Sequence, residues 1–135
     1  MLKGIQTVED ARLAADAGVQ AIALSNHGGR QLEGAPPPLE LVGPVAEAVG
    51  ERIEIICDGG IRRGSDVVKA VALGARACMV GRAYLYALGA GGERGVDHVL
   101  SQLHDGVRQT MALTGATNID NLTPDLVRWR NQTER

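Results

Sequence analysis

Short apolar runs alternate with stretches of helical periodicity over the first 80 residues of the chain. Three runs have the length and the flanking turn residues of buried strands. These runs are Ala21–Leu24, Ile53–Cys57 and Ala77–Val80. Between them, apolar side chains recur every three or four residues, as an amphipathic helix requires. With Leu2-Lys3 counted as the end of a first strand, the order is four strand-helix pairs, which predicts a parallel sheet with right-handed crossovers.

Residues with known preferences for helix ends mark the predicted boundaries. Thr7 is suited to cap the first helix and Gly18 to end it. Pro38 can occupy the first turn of the second helix, since its missing N–H is not needed there. Ser65 is predicted to cap the third helix, and Gly74 to terminate it.

The last third of the chain is predicted to be helical. From Gly95 to Met111, apolar residues follow the spacing of one long amphipathic helix. Thr123 and Pro124 then predict the N-cap and first position of a short terminal helix. Residues 131–135 are polar, and we expect them to be frayed. Tyr84 and Tyr86 are expected to serve in packing.

Composition narrows the class of protein. The 135 residues include no Phe and a single Trp. They also include 14 basic and 16 acidic residues, so a basic surface for nucleic acid is not expected.

Cys57 and Cys78 form no C-x-x-C or metal-ligand spacing, and His98 and His104 lie six apart, unlike a metal-binding i, i+4 pair. No stretch resembles a membrane span or a signal peptide, which favours a soluble, cytoplasmic protein.

The segment from Ser25 to Glu33 carries the clearest chemistry. His27 can accept a proton near neutral pH, and Arg30 can grip a carboxylate through two parallel hydrogen bonds. Gly28 and Gly29 between them allow a sharp turn, so that both side chains can face one ligand. A base beside a carboxylate clamp indicates a small acid as substrate.

Two later turns combine glycine with arginine, one over residues 58–62 and the other at Gly81-Arg82. Glycine frees backbone N–H groups, and a nearby guanidinium at a helix N-terminus completes a phosphate cradle. Such turns often have only a structural role. Complete (β/α)8 barrels, however, commonly bind phosphate after strands 7 and 8, and they have about 250 residues, roughly twice the length of this chain.

The sequence resembles the FMN-dependent α-hydroxy-acid oxidising enzymes, which include glycolate oxidase, L-lactate dehydrogenase and mandelate dehydrogenase. Residues 25–33 are similar to the family segment SNHGGRQLD, with Glu33 in place of the usual Asp. Residues 58–82 are similar to DGGIRRGxDVxKAxALGAxxxxxGR. The resemblance covers nearly the whole chain and implies an α/β fold: the C-terminal half of a (β/α)8 TIM barrel over residues 1–121, then a C-terminal helix and tail over 122–135.

The resemblance also implies a role for each matching residue. FMN is the implied cofactor, with His27 as catalytic base and Arg30 as the ligand of the substrate carboxylate. Lys3 and Ser25 would contact the flavin ring, and Asp58 the ribityl chain. The residues implied around the phosphate are Gly59, Gly60, Ile61, Arg62, Gly81 and Arg82.

The implied reaction oxidises an L-2-hydroxy acid, such as lactate or glycolate, to the 2-keto acid. The electrons would pass to oxygen, a quinone or another carrier. Family members place substrate-binding tyrosines and a histidine-orienting aspartate in an N-terminal half, and these have no counterpart here. We therefore expect a fragment that is inactive alone, or a half-barrel that forms a homo-oligomer.

Three other interpretations remain open. A related FMN barrel, such as type 2 isopentenyl diphosphate isomerase, would not need the carboxylate clamp of Arg30. A non-catalytic half-barrel could bind phosphate or FMN, or assemble with a partner chain. A doubly wound nucleotide-binding domain is disfavoured because no G-x-G-x-x-G follows a first strand.

Overall fold

A computed structural model describes residues 1–129 as four parallel strands alternating with helices. The strands and helices are β1 Leu2–Ile5, α1 Val8–Asp16, β2 Ala21–Ser25, α2 Pro38–Val49, β3 Glu54–Asp58, α3 Gly64–Ala72, β4 Ala77–Met79 and α4 Arg82–Thr114. Single 3₁₀ turns cover His27–Gly29, Ile119–Asn121 and Pro124–Leu126. The predicted strand-helix alternation is confirmed, and the predicted stub at Leu2-Lys3 is a complete four-residue strand.

The sheet has the strand order β1-β2-β3-β4, and every pairing is parallel. One face packs on helices and forms the core, where the sheet contributes Ile22, Leu24, Ile55 and Cys57. The opposite face carries Ala23, Ile56 and Ala77 in register. Because the strands are parallel, their carboxyl ends lie along one edge of the sheet, where α/β proteins place their chemistry.

Strand β1 contains an irregularity at Gly4. Lys3 pairs with Ala23, whereas Ile5 pairs with Leu24, so Gly4 is an extra residue in the β1–β2 ladder. Alternate residues of a regular strand share a face, but this bulge places Lys3 and Ile5 on opposite faces. Ile5 consequently joins the core, while Lys3 faces away from the helices.

The helix ends follow the sequence in most places. The Oγ1 atom of Thr7 accepts a hydrogen bond from the Asp10 amide at 3.0 Å, and Gly18 adopts a φ of 78° after α1, as predicted. The prediction that Ser65 caps α3 is wrong. Arg63 is the N-cap, and an oxygen of Asp66 accepts both its amide and that of Arg62, at 2.9 and 3.0 Å. Asp66, at the third helical position, therefore bonds back to the amides that precede the helix, as the acidic residue of a capping box does.

Helix α4 begins earlier than predicted, at Arg82 rather than Gly95. Gly92 has a φ of 59° and kinks it, and the glycines near this kink hide the helical periodicity of residues 82–91. Tyr84 and Tyr86 lie on this first part and are exposed, 38% and 75%, so they do not pack within the described residues. None of the helices among residues 1–129 is long and apolar enough to cross a membrane.

The chain beyond α4 returns to α3. Ala116 and Leu122 pack with Val68 and Ala72 in a second small core. The predicted terminal helix is a single 3₁₀ turn over Pro124–Leu126, and the Thr123 side chain makes no capping bond. The predicted polar tail, residues 131–135, lies outside the described residues.

Contact between α3 and α4 depends on a glycine pair, and this leads to a prediction about stability. A Cβ added to Gly64 would lie 2.1 Å from the amide nitrogen of Val107 and 2.2 Å from the carbonyl carbon of Gly106. We expect Gly64→Ala to lower the free energy of unfolding by about 1–3 kcal/mol, because the two helices must separate.

Gly89 supplies the matched control, since it is helical and a Cβ there would meet no atom within 4 Å. Gly89→Ala should raise stability by up to about 1 kcal/mol through higher helix propensity. Urea unfolding of the two variants measures both effects. Equal effects of the same sign would contradict the packing argument.

Candidate active site

Three side chains from three neighbouring strands meet at the carboxyl edge of the sheet. Ser25 ends β2 and is almost fully buried, with 1% of its surface exposed. Its hydroxyl donates to a carboxylate oxygen of Asp58 at 2.7 Å and accepts from the Nζ of Lys3 at 2.9 Å. Lys3 also forms an ion pair with Asp58. The sequence-predicted residues Lys3, Ser25 and Asp58 thus form one cluster.

The protonation of Asp58 is set by this cluster. Partial burial raises the pKa of its carboxyl group, but hydrogen bonds from Lys3 and Ser25 and the nearby charges of Lys3 and His27 outweigh that effect. The net pKa lies below the ordinary value of 3.8. Asp58 is therefore an anion at neutral pH, and its negative charge keeps Lys3 at the strand ends.

The loop after β2 turns His27 back toward the sheet. His27, Gly28 and Gly29 have φ values of 53°, 74° and 73°, a left-handed run that is uncommon for a residue with a side chain. The His27 amide donates to the Ser25 hydroxyl at 3.2 Å, and the Gly28 amide donates to the Asn26 side chain at 3.1 Å. These two bonds fix the backbone of the loop.

Asn26 is a residue that sequence reasoning missed. Besides accepting from Gly28, its side-chain amide donates to the carbonyl of Pro36 at 3.2 Å, closing the loop onto the start of α2. Asparagine favours such turns because its side chain can bond a backbone amide two residues on. This preference could have identified Asn26 from the sequence, although it does not predict the hydrogen bond to Pro36.

A cleft of about 340 Å³ lies above the strand ends. It brings together every predicted site residue except the buried Ser25. Its lining includes Lys3, His27, Arg30, Asp58, Gly59, Gly60, Ile61, Arg62, Gly81 and Arg82. Gly28, predicted only as part of the turn, also lines it, as do Met79, Ala83 and Leu85, which the sequence did not single out. Within residues 1–129, neither the His27 imidazole nor the Arg30 guanidinium forms a side-chain hydrogen bond or ion pair with another residue, so both are available to a ligand.

The two glycine-arginine turns have different capacities to bind an anion. At α3, the Asp66 carboxylate already accepts the amides of Arg62 and Arg63, as described above. Neither helix has a hydrogen bond from the side chain of its N-cap residue, but α3 carries the negative Asp66 in its first turn, whereas α4 carries no acidic residue there. The first amides and the positive dipole end of α4 are therefore more open to an anion. Arg82 begins this helix, and its Nη2 donates to the carbonyl of Gly28 at 3.4 Å. The start of α4 is thus the better phosphate site.

Glycines leave space beside this helix end. A Cβ on Gly60 or on Gly81 would meet no atom within 4 Å, so the cleft wall is open at both positions. At Gly59, with a φ of 143°, a Cβ would approach the Cγ of Pro38 at 3.1 Å. A side chain at Gly59 would press on Pro38, while Gly60 and Gly81 present bare backbone that a ligand can approach closely.

Comparison with known proteins assigns the family. The sequence profile of the FMN-dependent dehydrogenases matches residues 1–129. The chain belongs to the FMN-dependent dehydrogenase family. It is 54% identical over 125 residues to pre-mycofactocin synthase from Mycolicibacterium smegmatis, covering 93% of this chain and 31% of that protein. It is 51% identical over 119 residues to 4-hydroxymandelate oxidase from Amycolatopsis orientalis, covering 88% and 33%.

Solved structures give the same result for the fold. The crystal structure of mandelate oxidase with benzoyl-formic acid superposes with a TM-score of 0.87 at 50% identity, covering 91% of this chain and 37% of that chain. The predicted α/β fold of strand-helix units is confirmed, and these units match only part of the larger oxidase. The chain spans about a third of the length of the curated relatives it matches.

The residues of the cleft fit FMN, the cofactor of the family. Its phosphate is an anion, which matches Arg62, Arg82 and the uncapped start of α4. The polyol chain of FMN needs hydrogen-bond partners, and Asp58 offers carboxylate oxygens in the same cleft. Lys3 supplies a positive charge at the strand ends, as an electron-accepting ring requires. The donor set is thus consistent with FMN along its whole length.

The low pKa of Asp58 predicts how stability depends on pH. A group whose pKa is depressed by folding stabilises the folded state above its unfolded pKa, near 3.8, and loses this effect as the pH falls through its lower folded value. Asp58→Asn should therefore cost about 1 kcal/mol at pH 7 and less at pH 3, since Lys3 is partly exposed and its pairing is weakened by solvent.

Urea unfolding at pH 7, 5 and 3 measures this difference. The exposed pair of Asp16 and Arg52, 2.7 Å apart, provides the control, and Asp16→Asn should change stability by under about 1 kcal/mol at pH 7. A cost of Asp58→Asn that stays constant from pH 7 to pH 3 would be inconsistent with the ion pair.

Proposed function

We propose that the protein oxidises an L-2-hydroxy acid to the corresponding 2-keto acid, with FMN as cofactor. The observation that supports this proposal most strongly is the shared cleft of His27, Arg30 and the Lys3-Ser25-Asp58 cluster. A base, a carboxylate ligand and a cation for the flavin ring are the three functions that such a reaction needs. Two of the relatives, 4-hydroxymandelate oxidase and L-lactate dehydrogenase, have names that agree with this class of substrate, whereas the name of pre-mycofactocin synthase does not state one.

In the proposed mechanism, His27 removes a proton from the substrate. Its unpaired imidazole would accept the proton of the 2-hydroxyl group or of the α-carbon, according to whether the electrons leave as hydride or through a carbanion. Arg30 would hold the carboxylate through two hydrogen bonds and orient the α-carbon. FMN, when bound, supplies the acceptor for the two electrons. The final electron acceptor would be oxygen, a quinone or another carrier.

Lys3 and Ser25 would serve the flavin end of the cleft. The Lys3 ammonium would stabilise negative charge that grows during the reaction, while Ser25 and Asp58 keep it in place. Arg62, Gly81 and Arg82 would bind the phosphate at the start of α4, with Gly59, Gly60 and Ile61 forming the adjacent wall. Positive side chains would thus offset negative charge at both ends of the cofactor, Lys3 at the ring and Arg62 and Arg82 at the phosphate.

The outer strands of the sheet suggest how the active protein is completed. Within the described residues, β1 and β4 each pair on one side alone. We propose that residues 1–121 contribute four βα units to a barrel, and that further strands, from a longer protein or a second copy, pair with these edges. Such strands would also supply the rest of the substrate pocket.

Removal of the proposed base gives the first functional prediction. His27→Ala should lower kcat of the complete, FMN-loaded protein by about 10²–10⁴-fold, the range for loss of a general base, while FMN stays bound. Anaerobic flavin bleaching with L-lactate, glycolate and L-mandelate measures turnover, and visible absorbance measures bound FMN. His104→Ala, on the exposed surface of α4, is the control. Unchanged bleaching in the His27 variant would exclude the role of base.

Replacing Arg30 tests the carboxylate clamp. Lysine keeps the charge but cannot form the two parallel hydrogen bonds, so Arg30→Lys should raise KM at least about tenfold. Arg63→Lys is the control, because Arg63 does not line the cleft. Steady-state kinetics with one 2-hydroxy acid give the comparison. A KM that does not change in the Arg30 variant would show that the substrate carboxylate binds elsewhere.

A further inference from the structure

Gly4 lies directly beneath the His27 side chain. A Cβ placed on Gly4 would be 2.9 Å from the Nε2 atom of the imidazole and 3.6 Å from its Cε1. Real Cβ atoms essentially never lie this close to another atom, so a side chain at position 4 would make the imidazole, which is the flexible end of His27, turn away. Gly4 also has a φ of 98°, which itself disfavours a side chain.

The backbone of His27 has little freedom to compensate for such a displacement. Its amide is bonded to the Ser25 hydroxyl, and Ser25 in turn is held by Lys3 and Asp58. The next amide, that of Gly28, is bonded to Asn26. A ring displaced from Gly4 would therefore move by rotation of its side chain, into the cleft that the substrate needs.

The bulge in β1 connects Gly4 to the rest of the site. As the extra residue of the β1–β2 ladder, Gly4 turns Lys3 toward Ser25 and Asp58. The same residue presents a bare backbone surface to the imidazole. One irregular position thus sets the direction of the cation and the location of the proposed base.

We propose that Gly4 is a positioning residue for His27, acting through the absence of a side chain. This inference rests on the proposed function only for its effect on turnover, because the contact between the two residues is independent of any reaction. Gly4→Ala should therefore displace the imidazole and reduce kcat, with a smaller effect on KM, since Arg30 stays in place.

A double-mutant cycle tests the contact without any assay of activity. Urea unfolding midpoints are measured for Gly4→Ala, His27→Ala and the double variant. Gly4→Ala should lower the midpoint in both backgrounds, because strain at a positive φ remains, and should lower it slightly more when His27 is present, because the imidazole must then rotate away. If Gly4→Ala were only destabilising in general, it would lower the midpoint by the same amount with and without the His27 ring.

Gly18 provides the matched control for backbone strain. Its φ of 78° is also left-handed, but a Cβ there would meet no atom within 4 Å. Gly18→Ala should lower the urea midpoint equally with and without His27. Equal costs of Gly4→Ala in the two backgrounds would overturn the proposal, as would coupling of the same size between Gly18 and His27.

Kinetics of the FMN-loaded protein test the positioning role. A displacement of about 1 Å of a reacting group can cost about 10²-fold in rate, and we expect a loss of that order in kcat for Gly4→Ala, with KM changed less than threefold. Gly18→Ala should keep both constants. If the cycle shows coupling but Gly4→Ala keeps full kcat while His27→Ala is inactive, the positioning role is wrong. If His27→Ala itself retains turnover, the proposed function fails, and the cycle alone decides whether the contact exists.

Discussion

The hydroxyl group of Ser25 joins the parts of the site that come from distant points of the chain. It donates to Asp58, accepts from Lys3 and accepts from the amide of His27, and so uses its full hydrogen-bonding capacity. The four residues belong to β1, β2, β3 and the loop that follows β2. A single buried hydroxyl therefore sets the relative positions of the cation, the anion and the proposed base.

This arrangement depends on the geometry of a parallel sheet. Side chains at the ends of neighbouring parallel strands come within hydrogen-bond distance only when the strands are in register, as Ser25 and Asp58 are in the β2–β3 pairing. Lys3 cannot reach the site through regular pairing, because Ile5, two residues later on the same strand, packs in the core on the opposite face. The bulge at Gly4 satisfies both requirements, and bulges commonly serve to redirect a side chain near an active site.

The sequence predicted most of the fold and the location of the site, and the reasons for the differences are physical. Alternating apolar runs and end-capping residues placed four strands and the first three helices, since these signals are local. The N-cap of α3 was misplaced because the Asp66 carboxylate accepts the amides of Arg62 and Arg63, so the helix begins before Ser65. The start of α4 was missed because glycines interrupt the helical pattern before the kink at Gly92.

The candidate site also shows that local sequence signals do not predict contacts between distant residues. Motifs identified Lys3, His27 and Arg82 one at a time, but no local pattern shows that Arg82 reaches the carbonyl of Gly28, 54 residues away in sequence. Nor does sequence spacing show that the Asp66 carboxylate in the first turn of α3 already accepts the amides of Arg62 and Arg63, while α4 has no acidic group in its first turn. Those properties arise from packing between elements and require the structure.

Binding of FMN to the purified chain tests the central claim that the cleft at the strand ends is a flavin site with its phosphate at the start of α4. The measurement is a titration of FMN fluorescence with the chain and with Arg82→Ala and Arg63→Ala. We expect saturable quenching, weakened at least about tenfold by Arg82→Ala through the loss of charge-assisted hydrogen bonds, and unchanged by Arg63→Ala. Equal affinity in all three proteins, or no quenching at all, would contradict the account.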